Sequence, residues 1–208
     1  KKSRRTLLGD RISGFPWNRF VIFSFASTEM DQPCTVINKL LIPADVIDVL
    51  SKTKLNGQLL LGPAKIIVPQ TVVSKEKIWL TPMMIACFLL LLAVVSCFGL
   101  QRTISYIFLA LQSAGGFLMV SVLFFSTLPC TGFSWLLIPF NPLPLLLWYW
   151  RRWWLLPFGL VCCVWSIVML AHKENPLVDP AHIVLVFSLA VNYVGQWYQI
   201  RKSNQLKH

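Results

Sequence analysis

Residues 103–150 form an unbroken run of 48 positions without a charged side chain. An α-helix rises about 1.5 Å per residue, so this run is too long for one crossing of a hydrocarbon layer about 30 Å thick and too short for three. Two passes are therefore expected. We place the break at Leu128-Pro129-Cys130-Thr131-Gly132, because proline and glycine interrupt helices and their polar neighbours can meet lipid head groups.

Three further uncharged runs, of 23, 19 and 20 residues, are each long enough for one crossing. The expected fold class is a mostly α, polytopic membrane helical bundle of about five spans, at 78–100, 103–127, 134–150, 153–171 and 181–200. Aromatic residues that favour the head-group level lie near the ends of these runs and support the boundaries. They are Trp79, Trp135, Trp148, Trp150, Trp153, Trp154, Trp197 and Tyr198.

The third span, 134–150, is expected to be broken, because it is only about 25 Å long as a helix and contains three prolines. Asn141 followed by Pro142 is typical of a helix N-cap and first helical residue, which predicts irregular backbone before this point. Irregular backbone at membrane depth has to be covered by protein or line a wet cavity. In the preceding span, Gly115-Gly116 would let another helix approach closely, although ordinary core packing is the favoured interpretation.

The composition excludes several classes of protein. Hydrophobic residues make up 56% of the chain and charged residues 13%, against about 45–50% and 25% in soluble domains. A purely soluble enzyme, a disordered chain and a disulfide scaffold are therefore disfavoured. The six cysteines include no CxxC pair, and four lie in apolar runs, so we expect buried thiols. The net charge of +11 favours anionic lipid head groups as partners and not nucleic acid.

Residues 1–77 hold 12 of the 19 Lys and Arg and 6 of the 8 acids, which indicates a soluble region. Within it we predict a strand around 20–23, a helix from Pro43 to about Thr53, and a strand pair formed by 57–61 and 65–68. This looks like the trailing part of a small α/β or α+β domain. Because the chain lacks an initiator Met and a leader, its first residue is expected to be a cut end.

The orientation depends on whether 134–150 crosses fully. With five spans, the positive-inside rule places 1–77 outside the cytoplasm and makes 201–208 a basic cytoplasmic tail. If 134–150 only dips in and returns, the orientation is reversed.

Few residues suggest chemistry. Cys34 is the only thiol before residue 78, and no histidine precedes His172, so a structural thiol is favoured over a nucleophile. Asp31 could orient a catalytic group, although local turn hydrogen bonds are the commoner role. His182, Asn192 and Gln196 fall within about 80° on a helical wheel. For this polar stripe, hydrogen bonding between helices is favoured over substrate contact.

No metal or cofactor is expected. His172 and His182 do not have ligand spacing on one helix, and the sequence contains no glycine-rich phosphate loop, HExxH or GxSxG. The residues alone indicate a polytopic membrane protein with a small soluble fragment, and they leave the reaction open.

The order of several motifs resembles the C-terminal two thirds of the Bacteroides-type lipoprotein N-acyltransferase family. In the first part these motifs are Pro16-Trp17, Asp31 and Leu41-Ile42-Pro43-Ala44-Asp45-Val46-Ile47-Asp48-Val49-Leu50. In the second part, Phe125-Ser126-Thr127-Leu128-Pro129, Trp135-Leu136-Leu137 and Asn141-Pro142-Leu143 are similar to the family's Ser-x-His-Pro, Asn-x-x-Leu-Leu and Asn-Pro-Leu run. Leu128 and Ser134 stand where the family usually has His and Asn.

This resemblance implies a periplasmic papain-like thiol domain followed by membrane spans, with the catalytic Cys and His upstream of residue 1. The complete protein would carry an acyl chain on the thiol and transfer it to the N-terminal amine of diacylated lipoproteins. Membrane lipids and lipoproteins are the implied partners, and other membrane subunits stay open. The implied substrate or lipid-edge residues are Asp31, Ser126, Pro129, Ser134, Asn141 and Pro142. One alternative is a noncatalytic membrane anchor or partner subunit. A third candidate, a small transporter, is disfavoured because the predicted spans have no ionisable residue in mid-span apart from His182, which lies near an end.

Overall fold

The computed structural model describes residues 3–33, 46, 50–55, 57–59, 78–98, 101–127, 131–146, 151–172 and 176–205. Its helices are α1 (Arg4–Arg11), α2 (Pro16–Phe25), α3 (Pro82–Ser96), α4 (Gln101–Phe125), α5 (Leu143–Leu146), α6 (Arg151–Ala171) and α7 (Pro180–Gln205). Two 3-10 helices cover Thr28–Asp31 and Trp135–Leu137, and a hairpin pairs β1 (Lys54–Leu55) with β2 (Gln58–Leu59). The described part of the chain is therefore mostly helical.

Three helices are long and apolar enough to cross a membrane, over Thr103–Phe125, Trp153–Ala171 and Pro180–Gln205. They coincide with the predicted spans 103–127, 153–171 and 181–200. The expectation of five spans is not confirmed. Helix α7 continues through 201–205 of the predicted tail, and residues 206–208 lie outside the described residues.

The predicted span 78–100 becomes α3, a helix of 15 residues. Thr81 caps it by accepting a hydrogen bond from the Met84 amide at 3.3 Å, and Pro82 occupies its first turn. The helix is about 22 Å long, which is shorter than the hydrocarbon layer. Start signals within the apolar run thus shorten the helix, and composition alone did not reveal this.

The predicted span 134–150 is broken, as expected. It contains the 3-10 helix Trp135–Leu137 and the short helix α5, and the Leu143 amide donates to Asn141 Oδ1 at 3.1 Å. Asn141 therefore has the predicted capping role. Residues 128–130, at the predicted break, and 147–150 lie outside the described residues.

The strand predicted at 20–23 is wrong, because these residues belong to α2. Pro16 begins this helix, and a spacing of three and four residues places Phe20, Phe23 and Ser24 on one face. Phe23 and Ser24 are buried, whereas Val21 is exposed. A short apolar run fits either a strand or a helix, and here packing on one face decides for the helix.

The predicted strand pair is partly corrected. Gln58 and Leu59 are extended, but they pair with Lys54 and Leu55 across a turn at Gly57, whose φ of 84° favours glycine. Residues 65–68 lie outside the described part. Of the helix predicted from Pro43 to Thr53, the described residues 46 and 50–52 are helical.

Helix α7 is central in the bundle and packs most extensively against α6 and α3. The core contains Leu155, Cys162 and Trp165 from α6 together with Val186, Leu189 and Tyr193 from α7. The outward faces of the helices carry large exposed apolar side chains such as Phe88, Phe117 and Ile167. Apolar side chains on the outward faces as well as in the core suit a lipid environment.

The two ends of the bundle differ in charge. At one end, named here the basic end, α3 ends, α4 and α6 begin and α7 ends. It contains the positions of Arg102, Arg151, Arg152, Arg201 and Lys202. The Gln199 amide nitrogen donates to the Cys97 carbonyl at 3.0 Å and joins the ends of α3 and α7 there. At the opposite end, named the docking end, α2 contacts the start of α7 and the last turns of α4.

Candidate functional site

At the docking end, a buried guanidinium closes the carboxyl end of α2. Arg5 is 1% exposed, and its Nη2 donates to the carbonyls of Ala26 and Ser27 at 3.0 and 2.9 Å. Its Nε donates to Asp31 Oδ1 at 2.6 Å. The last carbonyls of a helix lack partners within the helix and carry partial negative charge, so a cation is favourable there.

Asp31 extends this arrangement to the broken segment 131–146. Its Oδ2 accepts a hydrogen bond from Trp135 Nε1 at 3.2 Å. Nearby, the Thr28 amide donates to the Phe133 carbonyl at 2.9 Å. The 3-10 helix Thr28–Asp31 is therefore fixed to the segment that follows α4.

A second contact joins α2 to α7. His182 is 1% exposed; its ring stacks on Phe20 at 4.1 Å, and its Nε2 lies 2.8 Å from Ser24 Oγ. The Ser24 hydroxyl donates its one hydrogen to the Phe20 carbonyl at 2.9 Å. The Ser24 hydroxyl and His182 Nε2 therefore form a buried hydrogen bond between α2 and α7. An ion pair between Arg19 Nε and Asp179 Oδ2, 3.0 Å apart, lies at the same junction.

Side chains satisfy much of the irregular backbone of segment 131–146. Gln112 Nε2 donates to the Pro139 carbonyl at 2.8 Å, Trp165 Nε1 to the Trp135 carbonyl at 3.0 Å, and Asn141 Nδ2 to the Ile138 carbonyl at 2.6 Å. Tyr193 holds Gln112 in turn by donating to its Oε1. The prolines of the segment bring no N–H group that needs an acceptor. Gln112 and Trp165 lie in two candidate spans, so side chains of these neighbouring helices satisfy two carbonyls of the segment.

An apolar groove runs along the outer face of α6 beside this segment. Its volume is about 400 Å³, within the range of ligand sites. Leu160, Val164 and Val168 line it at spacings of four residues, and Trp135 and Ile138 also contribute to its lining. Leu160 to Val168 rises about 12 Å along the helix axis. We refer to it as the apolar groove.

The structure places the predicted lipid-edge residues in internal contacts. Asp31 pairs with Arg5 across 26 positions, so its partner is not the local turn that the sequence favoured. Ser126 Oγ accepts from Thr131 Oγ1 at 2.6 Å. Ser134 is buried, donates to the Ser24 carbonyl at 3.1 Å and accepts from the Leu136 amide at 3.4 Å. The crevice between Ser134 and the end of α4 has a volume of only about 10 Å³, room for about one water molecule.

Two more of the predicted lipid-edge residues also make internal contacts. Asn141 and Pro142 lie against Gly116 of α4, with Asn141 serving as a cap. Pro129 lies outside the described residues. Ordinary core packing is the favoured interpretation of Gly115-Gly116 from the sequence, with close approach of a helix as the alternative; the structure shows a close approach at Gly116, and the neighbour is the irregular chain at 140–142.

The polar stripe of α7 is buried, as expected for contacts between helices, but it forms two separate contacts. Asn192 Nδ2 donates to Ser96 Oγ at 3.3 Å, and Gln196 Nε2 donates to Asn192 Oδ1 at 2.7 Å. His182 instead contacts α2. The hydrogen-bonding interpretation of the stripe agrees with these contacts.

The expectation of buried thiols is only partly correct. Among the described cysteines all four are free, Cys162 is buried, Cys97 and Cys163 are partly exposed, and Cys87 is exposed. A helix in lipid can present a small apolar thiol outward at no cost in apolar burial, so an apolar run does not fix which face the thiol takes. Cys34 and Cys130 lie outside the described residues. Within the described ranges, no group of three His, Cys, Asp or Glu side chains has the geometry of a metal site.

The sequence did not reveal Arg5, Ser24 and Arg19 as parts of the docking end. From the sequence alone, the basic run Lys1-Lys2-Ser3-Arg4-Arg5 is most simply interpreted as a solvated or lipid-facing stretch. One signal was available: Ser3 before a helical stretch is a typical N-cap, and its Oγ accepts from the Thr6 amide at 3.2 Å. A helix at 4–11 would have placed Arg5 on a defined face.

Comparison with protein-family models, with curated protein sequences and with solved structures finds no match to this chain. The resemblance to the lipoprotein N-acyltransferase family therefore stays a prediction.

Proposed function

We propose that this chain is the membrane-embedded part of a lipoprotein N-acyltransferase-like protein and that it holds an acyl chain in the apolar groove without supplying a nucleophile. The observation that carries the proposal is the position of this groove. It is built from Trp135 and Ile138, within the stretch that resembles the family, and from the outer face of α6. A groove along a helix axis suits a lipid tail, because tails and spanning helices run in similar directions.

The polar groups of the described site support a binding role and not a catalytic one. The His182 ring is bonded to Ser24 and stacked on Phe20, and Asp31 is paired with Arg5. A nucleophile needs an adjacent base that is available to take its proton. In the proposal, the thiol and its base belong to another part of the complete protein, and diacylated lipoproteins are the acceptors.

The same proposal assigns an orientation. The basic end faces the cytoplasm of a bacterial inner membrane by the positive-inside rule, and the docking end faces the periplasm. The N-terminal helices α1 and α2 then lie at the outer surface, where the acyl acceptor would approach.

Filling the apolar groove tests the proposal. Val164 lines the groove and is 59% exposed, so Val164→Trp adds bulk there without disturbing the core. Ile167→Trp is the matched control, because Ile167 is 66% exposed on α6 but does not line the groove. The protein is placed in nanodiscs that contain a phospholipid with a diazirine in its acyl chain, and labelled peptides are mapped after irradiation.

We expect Val164→Trp to lower labelling at Trp135 and Ile138 at least fivefold and Ile167→Trp to leave it within twofold. In cells, lipoprotein N-acylation should fall with the first variant alone. Unchanged labelling with Val164→Trp would refute the acyl-chain site. Reduced labelling with unchanged acylation would refute the link to acyl transfer.

The second candidate is a noncatalytic anchor or partner subunit. It is favoured by the internal contacts of Ser126, Ser134 and Asn141, which all bond to groups of this chain. An anchor predicts that Ser126→Ala and Asn141→Ala leave lipoprotein acylation unchanged, as Val164→Trp also would.

A further inference from the structure

A second depression lies at the basic end, between the first turns of α6 and the last turns of α7. Its volume is about 710 Å³. Trp153, Leu156 and Pro157 form the α6 side, and Trp197, Arg201 and Asn204 belong to the α7 side. We refer to it as the interfacial crevice. It is separate from the apolar groove, which lies further along α6.

The lining of the interfacial crevice is amphipathic along the helix axis. Leu156, Pro157 and Trp197 lie toward the middle of the bundle, and Arg201 and Asn204 lie toward the end of α7. The Arg201 guanidinium lies 5.4 Å above the Trp197 ring, a cation–π contact that limits its freedom. A ligand with an anionic, hydrogen-bonding head and an apolar tail fits this gradient.

The charge around the crevice is of one sign. Arg102, Arg151, Arg152, Arg201 and Lys202 all have their positions at this end, and the sequence has no Asp or Glu between 77 and 173 or after 179. The field is therefore uncompensated by acids of the neighbouring helices. A polybasic surface beside spanning helices attracts anionic lipids.

We infer that the interfacial crevice binds one anionic phospholipid, with its phosphate at Arg201 and Asn204 and one acyl chain against Leu156 and Pro157. The inference does not rest on the proposed acyl transfer, because it involves neither the apolar groove nor the docking end. A guanidinium held above an indole ring is preorganised to donate to phosphate oxygens. The neighbouring aromatic Trp153 is 77% exposed at the same level, where indole rings meet head groups.

The test compares two substitutions that remove the same charge. Arg201→Gln removes the guanidinium that lines the crevice, and Lys202→Gln removes an exposed charge one residue further along α7 that does not line it. Native mass spectrometry of the protein in detergent measures retention of added phosphatidylglycerol and, separately, of phosphatidylcholine. Leu156→Trp, which fills the apolar part of the crevice, tests the tail contact.

We expect the wild-type chain to retain one phosphatidylglycerol with at least tenfold preference over phosphatidylcholine. Arg201→Gln should weaken this binding about tenfold and Leu156→Trp at least fivefold, whereas Lys202→Gln should change it less than threefold. Equal losses with Arg201→Gln and Lys202→Gln would show a diffuse charge effect and overturn the site. Equal retention of the two lipids, or displacement by glycerol 3-phosphate at the same concentration as the lipid, would also overturn it.

Discussion

Replacing Arg5 by methionine is expected to loosen α1 from the end of α2 and from the 3-10 helix Thr28–Asp31, while α6 and α7 stay packed. Methionine keeps most of the side-chain length and removes the charge. The carboxylate of Asp31 then loses its cation, and the carbonyls of Ala26 and Ser27 lose their donor. The effect should be local, because these contacts do not involve the α6–α7 interface.

The magnitude follows from burial. Removing one partner of a buried ion pair costs about 3–5 kcal/mol. The Arg5 side chain is 2% exposed and that of Asp31 16%, and Asp31 keeps its bond from Trp135, so we take the lower end, about 3 kcal/mol. A free-energy change of that size raises the equilibrium constant for local opening more than hundredfold, because each 1.4 kcal/mol corresponds to a factor of about ten.

Hydrogen–deuterium exchange of the detergent-solubilised protein measures this local opening. Amides of 4–31 should exchange more than a hundredfold faster in Arg5→Met, with those of α6 and α7 unchanged. Arg11→Met on the exposed end of the same helix is the matched control and should change exchange less than fivefold, as surface charges contribute little. An Arg5→Met variant that exchanges within fivefold of the wild-type protein would refute the reasoning.

Two further predictions concern α4 and α3. A Cβ atom at Gly116 would lie 2.8 Å from the carbonyl carbon of Asn141, so Gly116→Ala should lower the free energy of unfolding by about 2 kcal/mol. The control Ala110→Val, on the exposed face of α4, should change the free energy of unfolding by less than about 0.5 kcal/mol. Thermal unfolding in detergent measures both effects. N-ethylmaleimide should modify the exposed Cys87 at least tenfold faster than the buried Cys162, measured by mass spectrometry of peptides, and equal rates would contradict the described packing of α3 and α6.

The correct predictions rest on long apolar runs and on proline and asparagine residues that start or interrupt helices. The helices α4, α6 and α7 follow from runs whose length matches a membrane, and the interior Pro157 does not end α6. The break in 134–150 and the cap at Asn141 follow from local proline and asparagine chemistry, which acts over two or three residues. These features need no knowledge of distant contacts.

The errors arose where local patterns were ambiguous or partners were distant. Residues 20–23 satisfy the pattern of a strand, and their helix is selected by packing of Phe23 and Ser24 on one face. Composition marked 78–100 as one span, although Thr81-Pro82 starts the helix later. At the candidate site, Ser24 and His182 are 158 positions apart, and no local pattern predicts that they meet.

The covered irregular segment 131–146 imposes an order on membrane assembly. The Pro139 carbonyl accepts a hydrogen bond from Gln112 of α4, which precedes the segment in the chain. The Trp135 carbonyl accepts one from Trp165 of α6, which follows it. Each spanning helix satisfies its own backbone and can insert alone, whereas this segment cannot enter hydrocarbon until both neighbours are present. Synthesis delivers α4 before this segment and α6 after it, so we expect the segment to settle between the two helices only after α6 has been made.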